Sequence, residues 1–421
     1  MKGLLFLLFL LFFFNLSIAQ TPGQDPFATA RDVMDKQPEN YLAPLKAIKN
    51  LKIDSADFSS LNMWQQAMMT YYSFLGDYKD LLFYSDSRYK YNTQKVVYDT
   101  AFVKGHEFVN AADYISAQAG LHQVTMINEA HHLPFHRAFV LPMLKSFYKA
   151  GYRYLAIETL NNPPNKDTLI NQKKYPDYNT GYYTVEPLFA EMLREAIKLN
   201  FKLIAYEANK RCDHKSSDPG YCQRFRDSLM AISLTAIIKS DPKAKILVYA
   251  GYAHINERTD NSWKKMAQYF REFTGIDPFT VDLTKQIEHL YPQYEEKEFI
   301  AVNKFKPIQQ PVIAMKANRP WHGEFVDATV IFPVYSVKGK RPSFYSINGS
   351  RKVYNLNNLH FKPGQLVQAF YSNETPGNRI PADQLVIGND SNSLYLFKGK
   401  YILAIKSSDG LLIKEYIINV D

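Results

Sequence analysis

Cysteine is scarce in this chain: two residues, Cys212 and Cys222, among 421. So few exclude a fold stapled by a disulfide framework and the tight paired spacing of a zinc ribbon. No dense Lys/Arg tract accompanies the formal net charge of +9, whereas nucleic-acid binding calls for a concentrated stripe. The excess, which drops by one if Lys2 leaves with the leader described below, reads as dispersed surface charge favouring acidic partners or envelopes. A G-x-S-x-G elbow is missing, so an acyl-serine route has no motif behind it. Beyond the leader, no apolar run approaches the ~20 residues of a membrane-spanning helix.

What is present begins with that leader. Met1 and Lys2 precede an apolar block from Leu4 to Phe14, then Asn15 to Ala19, with Gln20 and Thr21 opening polar chain. A positive start, an apolar core and a small-residue exit read as a secretory signal peptide over residues 1–19. The mature chain is expected to be exported, periplasmic or secreted, with no transmembrane segment. In an oxidising compartment Cys212 and Cys222, close together in KRCDHKSSDPGYC, are most simply a disulfide. The rival is a metal site of Cys212, His214 and Cys222.

The fold class expected is α/β: a mostly parallel sheet with helices on both faces, preceded by a helical segment and followed by a small antiparallel β-sandwich domain. Residues 20–121 carry amphipathic stretches such as YLAPLKAIKNL, with apolar residues at three- and four-residue spacing. Residues 122–337 alternate apolar strand-like runs with helices, among them LPFHRAFVLPMLKSFYKAG, in which Pro142 predicts a kink or break. VDL at Val281 to Leu283 and FVDATVIFPVYSV at Phe325 to Val337 read as later strands. Residues 338–421 consist of short alternating strands between Gly, Pro, Asn and Asp turns.

Four apolar runs in the central segment each end in an acid or a histidine: VTMINEAH at Val124 to His131, YRYLAIE at Tyr152 to Glu158, FKLIAYE at Phe201 to Glu207, and KILVYAGYAH at Lys245 to His254. Short β-branched and aromatic runs of this kind are how buried parallel strands read. Open α/β sheets place ligands beyond the carboxyl ends of such strands, so these residues form one candidate site. In NEAHHLPFHRAF, Glu129 and His131 are two apart and leave an extended chain on the same side. His132 and His136 are four apart and can share a face of the helix that Pro134 begins.

NEAHHLPFHRAF resembles the E-x-H-D-x-P-x-H segment of ChaN-like haem-binding proteins and, less closely, the G-E-x-x-H-G opening of the erythromycin esterase family. Both belong to the EreA/ChaN-like superfamily. Downstream, AIE at Ala156 to Glu158, RDSLMA at Arg226 to Ala231 and ILVYAGYAHI resemble the esterase pattern in order and spacing. In this chain Asn128 replaces the glycine before the first glutamate. The esterase alignment selects His132 as base, and the haem-binder alignment selects His131 and His136.

The resemblance implies hydrolysis of an ester or lactone in a small-molecule substrate. A neutral His131 or His132, tuned by Glu129 or Glu158, would activate water, while His254 protonates the leaving group or steadies the oxyanion with Arg226. A metal version would bind a divalent ion through Glu129, His131 and His254, with Glu158 or Glu207. The non-catalytic alternative is a haem- or metal-binding envelope protein, with His136 and Glu207 at the cofactor and a histidine or tyrosine (Tyr206, Tyr249 or Tyr252) as axial ligand. The glutamates pairing with Arg226 and lysines as a buried structural network, and an interaction protein acting through its β domain, are the remaining readings.

Overall fold

A computed structural model describes residues 25–89, 100–161, 167–207, 210, 212, 217–218, 220–258, 263–338, 341–359, 361–389 and 392–421. The expected leader and His214 lie outside the described residues.

The chain opens with helices α1 (Pro26–Lys36), α2 (Leu42–Lys49), α3 (Phe58–Leu75), α4 (Tyr78–Asp86) and α5 (Thr100–Gly105). Local chemistry sets their ends: Asp25, Asp57 and Asp77 accept from first-turn amides of α1, α3 and α4. Gly76 stops α3 in the left-handed region at φ 71°. The segment is not wholly helical, because β1 (Glu107–Asn110) follows and pairs antiparallel with β7, defined below.

The central elements are α6 (Ala111–Leu121), β2 (Val124–Glu129), α7 (Pro134–Lys149), β3 (Tyr154–Ile157), α8 (Asp167–Lys173), α9 (Pro187–Lys198), β4 (Lys202–Ala205), α10 (Tyr221–Ser240), β5 (Ile246–Gly251), α11 (Met266–Thr274) and β6 (Phe279–Gln286). Then come α12 (Lys297–Phe305), β7 (Val312–Lys316), β8 (Arg319–Pro320) and β9 (Ala328–Ile331). Strands run in the order β1-β7-β9-β6-β2-β5-β3-β4, with β8 on β7. The sheet is mixed: β9, β6, β2, β5, β3 and β4 pair in parallel, and β7, β1 and β8 add antiparallel pairs at one side.

Alternation along the strands divides the core between two faces. Ile127, Leu155, Ile157, Leu247 and Tyr249 pack with α7 and α9, whereas Met126, Ala156, Ile246, Val248 and Ala250 pack with α10 and α11. Strands covered on both sides must be apolar throughout, which is why β2 and β5 are buried at every position. Pro142 lies inside α7, and the helix continues through it rather than breaking. FVDATVIFPVYSV is shorter as strand than its composition suggests: β9 covers only Ala328–Ile331, and Val337 begins β10 (Val337–Lys338).

Beyond this, β10 pairs with β11 (Arg341–Pro342), β12 (Lys352–Asn355) pairs with β15 (Ser393–Leu396), and β13 (Leu366–Tyr371), β14 (Asp383–Val386), β16 (Gly399–Lys406) and β17 (Leu412–Val420) form a sheet ordered β14-β13-β16-β17. All are antiparallel around a small core containing Val367, Leu394 and Leu403. Phe344, Tyr345 and Ile347 belong to the main core instead, so this region is fastened to the rest of the molecule. Polar ties reinforce the joint. Gln384 Nε2 donates to Phe74 O at 2.7 Å, and Arg379 pairs with Glu39 at 3.1 Å.

The buried Arg341 guanidinium donates to both oxygens of Asp383 at 2.5 and 2.6 Å, beside Gly76. Removing one partner leaves the other charge stranded, so Asp383→Ala is expected to cost about 3–5 kcal/mol in urea-denaturation stability. A loss below about 1 kcal/mol would show that the pair does not hold the joint.

Candidate active site

Parallel register sets the site. β2, β5, β3 and β4 are adjacent, with Glu129 opposite Gly251 and Ile157 opposite Tyr249. Glu129, Glu158 and Glu207 therefore emerge at one rim of the sheet, and the short turn Tyr252–Ile255 after β5 brings His254 to it. Helix α10 supplies Arg226 and Asp227. Cys222, in the first turn of α10, forms a disulfide with Cys212 at a Cα separation of 5.4 Å, which ties the preceding loop to this helix. With both sulfurs joined, the rival Cys212, His214 and Cys222 metal site has no thiolates.

Glu129 is buried and held by Arg137, whose Nε and Nη2 donate to its two oxygens at 2.8 and 2.9 Å. Arg137 also reaches Glu186 at 3.2 Å and the His131 carbonyl at 2.6 Å. Burial alone would push the Glu129 carboxyl up, but Arg137 and His131 hold it far below the usual carboxylate range. His131 Nδ1 donates to Glu129 Oε1 at 2.8 Å, leaving Nε2 as the acceptor nitrogen. The imidazole stacks on Tyr183 with ring centroids 4.4 Å apart.

A second carboxylate–imidazole pair faces the first. His254 Nδ1 donates to Asp227 Oδ1 at 2.5 Å, and Asp227 is fixed by Trp263 Nε1 and the Met266 amide, each at 3.0 Å. Burial opposes the imidazolium, but Glu158 and Asp227 outweigh it and raise the His254 pKa. While neutral, His254 Nε2 accepts from Arg226 Nη1 at 2.8 Å; once protonated, that nitrogen has Glu158 Oε1 as a carboxylate 3.7 Å away.

Glu158 lies between the pairs. It accepts from Arg226 Nη2 and from the Gly251 amide, each at 2.5 Å. Burial raises its pKa, and His254, His131 and Arg226 bring it down to about 2. Arg226 also donates to Glu207, through Nε at 3.0 and 3.1 Å and through Nη2. A side chain at Gly251 would point into the space shared by the two pairs: its Cβ would stand 2.5 Å from His131 Nε2 and 3.1 Å from Glu158 Oε2. Glycine keeps that space open.

The remaining expected residues are placed elsewhere. His132 turns the other way, with Ser85 at 3.2 Å and the Tyr252 hydroxyl at 3.3 Å, and burial holds its pKa well below normal. Of the two candidate bases, only His131 faces Glu158 and Gly251. His136 is sealed in the core against Phe135 and Phe332, accepts from the Ala130 amide at 3.1 Å, and has its pKa lowered by burial to about 3. It supports the β2–α7 turn. Tyr206 and Tyr249 are buried, and burial drives the pKa of each hydroxyl up. Asn128, where the esterase pattern has glycine, donates to Tyr252 O and Asp282 Oδ1, both at 2.7 Å, and so stitches β6 and the turn after β5 to β2.

Of the expected metal ligands Glu129, His131 and His254, the first two pair with one another and the third pairs with Asp227. Among the described residues no three His, Cys, Asp or Glu side chains are grouped to hold an ion, because Arg137 and Arg226 already engage the carboxylates. Glu207, expected at a cofactor, is engaged by Arg226. Sequence reasoning missed Asp227, Arg137 and Gly251. Asp227 stands next to Arg226 in RDSLMA, and that adjacency was the available signal.

No family model and no curated protein matches the chain. Among solved structures it is similar to the type III effector HopBA1 (11% identity, 46% of this chain and 88% of that chain, TM-score 0.33). It is also similar to RRSP, a MARTX toxin effector domain from Vibrio vulnificus (12%, 66% and 67%, TM-score 0.32). A third is the C-terminal region of Pasteurella multocida toxin, which has a thiol-protease-like catalytic triad (12%, 95% and 62%, TM-score 0.32). At such scores neither fold nor activity is carried across.

Gly251→Ala is expected to displace His131 or Glu158 at a cost of about 1–3 kcal/mol, read by thermal denaturation. Unchanged stability would show that the space is not shared as described. This region also contributes to the pH dependence of stability. His132 and His136 have depressed folded-state pKa values, so the stability they contribute is present above the ordinary value of 6.5 and is lost as pH falls. His254 has the opposite sign: its contribution is present below 6.5 and is lost as pH rises through its elevated value. Glu129 and Glu158 weaken the fold only as pH falls below their ordinary 4.5. From pH 6.5 toward 4.5 the buried neutral His136 removes about 1.4 kcal/mol per pH unit. Glu257 and Glu288, whose carboxyls burial pushes up to about 7, act with the opposite sign, so the histidine contribution is read by difference. Between pH 6.5 and 5.5 urea unfolding of the wild-type protein should lose about 1.4 kcal/mol more than that of folded His136→Gln, and equal losses would refute it.

Proposed function

We propose that this protein is an exported hydrolase of the erythromycin esterase-like, EreA/ChaN-like type, cleaving an ester or lactone by direct attack of water. The observation that carries the reading is the pair of carboxylate–imidazole dyads, Glu129–His131 and Asp227–His254, meeting at Glu158 over a glycine. The Cys212–Cys222 disulfide supports an oxidising compartment.

Each group has a role that follows from its partners. Glu129, locked by Arg137, fixes the His131 tautomer so that Nε2 takes a proton from water. Glu158, anionic at neutral pH, positions that water from the opposite side and is no proton donor itself. The hydroxide adds to the substrate carbonyl, and the Arg226 guanidinium offers N–H groups to the oxyanion. Collapse of the tetrahedral intermediate breaks the C–O bond. His254, whose imidazolium is favoured by Glu158 and Asp227, gives its proton to the departing alcohol.

On a broad ester and lactone panel, His131→Asn and His254→Asn are each expected to lower kcat by about 10²–10⁴-fold while the protein stays folded by circular dichroism. His132→Asn should be far milder, since that ring faces Ser85 and Tyr252. Full activity in folded His131→Asn protein would remove the assignment.

A further inference from the structure

Away from the two dyads, a cavity of about 880 Å³ opens between α7, α8 and α9 on one side and the C-terminal strands on the other. Its size lies within the ~300–1,000 Å³ range of small-molecule sites. The wall carries Lys145, Lys173, Lys174, Lys198, Lys398 and Arg194, against the carboxylates Glu191, Glu195 and Glu374. Arg194 is spent on the floor, with Glu374 at 2.7 Å and Glu191 at 2.8 Å. Lys173 pairs with Asp177 at 2.5 Å, and Lys198 stands 3.7 Å from Glu195. Among the described residues Lys145, Lys174 and Lys398 have no carboxylate partner.

The floor is rigid. Glu191 and Glu374 are buried, and the Tyr371 hydroxyl donates to Glu191 at 3.0 Å. The walls also hold strained backbone: Lys174 at φ 68° and Ile347 at φ 45° both line the cavity. A β-branched residue in the left-handed region is a genuine outlier, and such strain costs about 1–3 kcal/mol and gathers at ligand clamps. Tyr175, Tyr371 and Phe397 add aromatic surface, with the Asn373 amide and Ser350 hydroxyl beside them.

We propose that this cavity binds a short acidic saccharide. Lys145, Lys174 and Lys398 meet its ring-borne carboxylates as point charges, the aromatic side chains lie against the apolar faces of the sugar rings, and Asn373 and Ser350 bond its hydroxyls. A soluble oligosaccharide suits a concave cleft of this size better than a membrane surface does. The inference is independent of the hydrolytic assignment.

The test is calorimetric titration of the full mature protein at low ionic strength with trigalacturonic acid, and with uncharged maltotriose as the control. Saturable binding of one trigalacturonate, no binding of maltotriose, and affinity weakened about tenfold or more by Lys145→Gln combined with Lys398→Gln support the site. Glu158→Gln should leave the affinity unchanged. The proposal is overturned by absence of saturable binding, by equal affinity in the double lysine variant, by equal uptake of maltotriose or of inorganic phosphate, or by binding only to phosphatidylglycerol vesicles.

Discussion

Two arginines make it possible for this protein to keep several carboxylates at the rim of a buried sheet. Glu129 and Glu158 are each almost inaccessible to water, and ionised carboxylates in such a place are untenable without a cation. Arg137, wholly buried, supplies that cation to Glu129 and Glu186; Arg226, partly exposed, supplies it to Glu158 and Glu207. Their delocalised, forked donors satisfy two oxygens at once, which a lysine ammonium does not match.

That division of labour separates a fixed half of the site from one whose hydrogen bonds change with protonation. Arg137 is committed on every side, to Glu129, to Glu186, to the His131 carbonyl and to the face of Phe189 at 4.5 Å. His131 is thereby given one tautomer and one orientation. Arg226 shares donors between Glu158, Glu207 and His254, and its bond to His254 depends on the proton that His254 carries. The backbone marks the same place: Tyr252, immediately after the crowded Gly251, takes φ 43°. A bulky residue held there is strained, and strain of this kind persists where the surrounding packing over-determines it.

Much of this was legible from residue order because it depends on local chemistry. Apolar runs covered on both faces read as parallel strands, and they proved to be β2, β3, β4 and β5, each with its acid or histidine at the rim. The antiparallel side of the sheet was not legible. β1 lies in a stretch surrounded by helices and becomes a strand by pairing with β7, some two hundred residues later, so its structure is set by a partner and not by its own pattern. The partner of Glu129 was hidden on similar grounds, since nothing near Glu129 in the chain announced that Arg137, one helical turn into α7, would engage both of its oxygens.

Residue order alone determined that acids and histidines stand at strand ends, because hydrophobic periodicity sets where a buried strand stops and polar chain resumes. It could not choose between adjacent imidazoles. His131 faces Glu158 while His132 faces Ser85 because the turn after β2 sends consecutive side chains to opposite sides, and only the neighbouring strands and α4 determine what waits on each side. Asp227 likewise became the partner of His254 through the packing of α10 over β5, a contact between segments whose proximity no local pattern encodes.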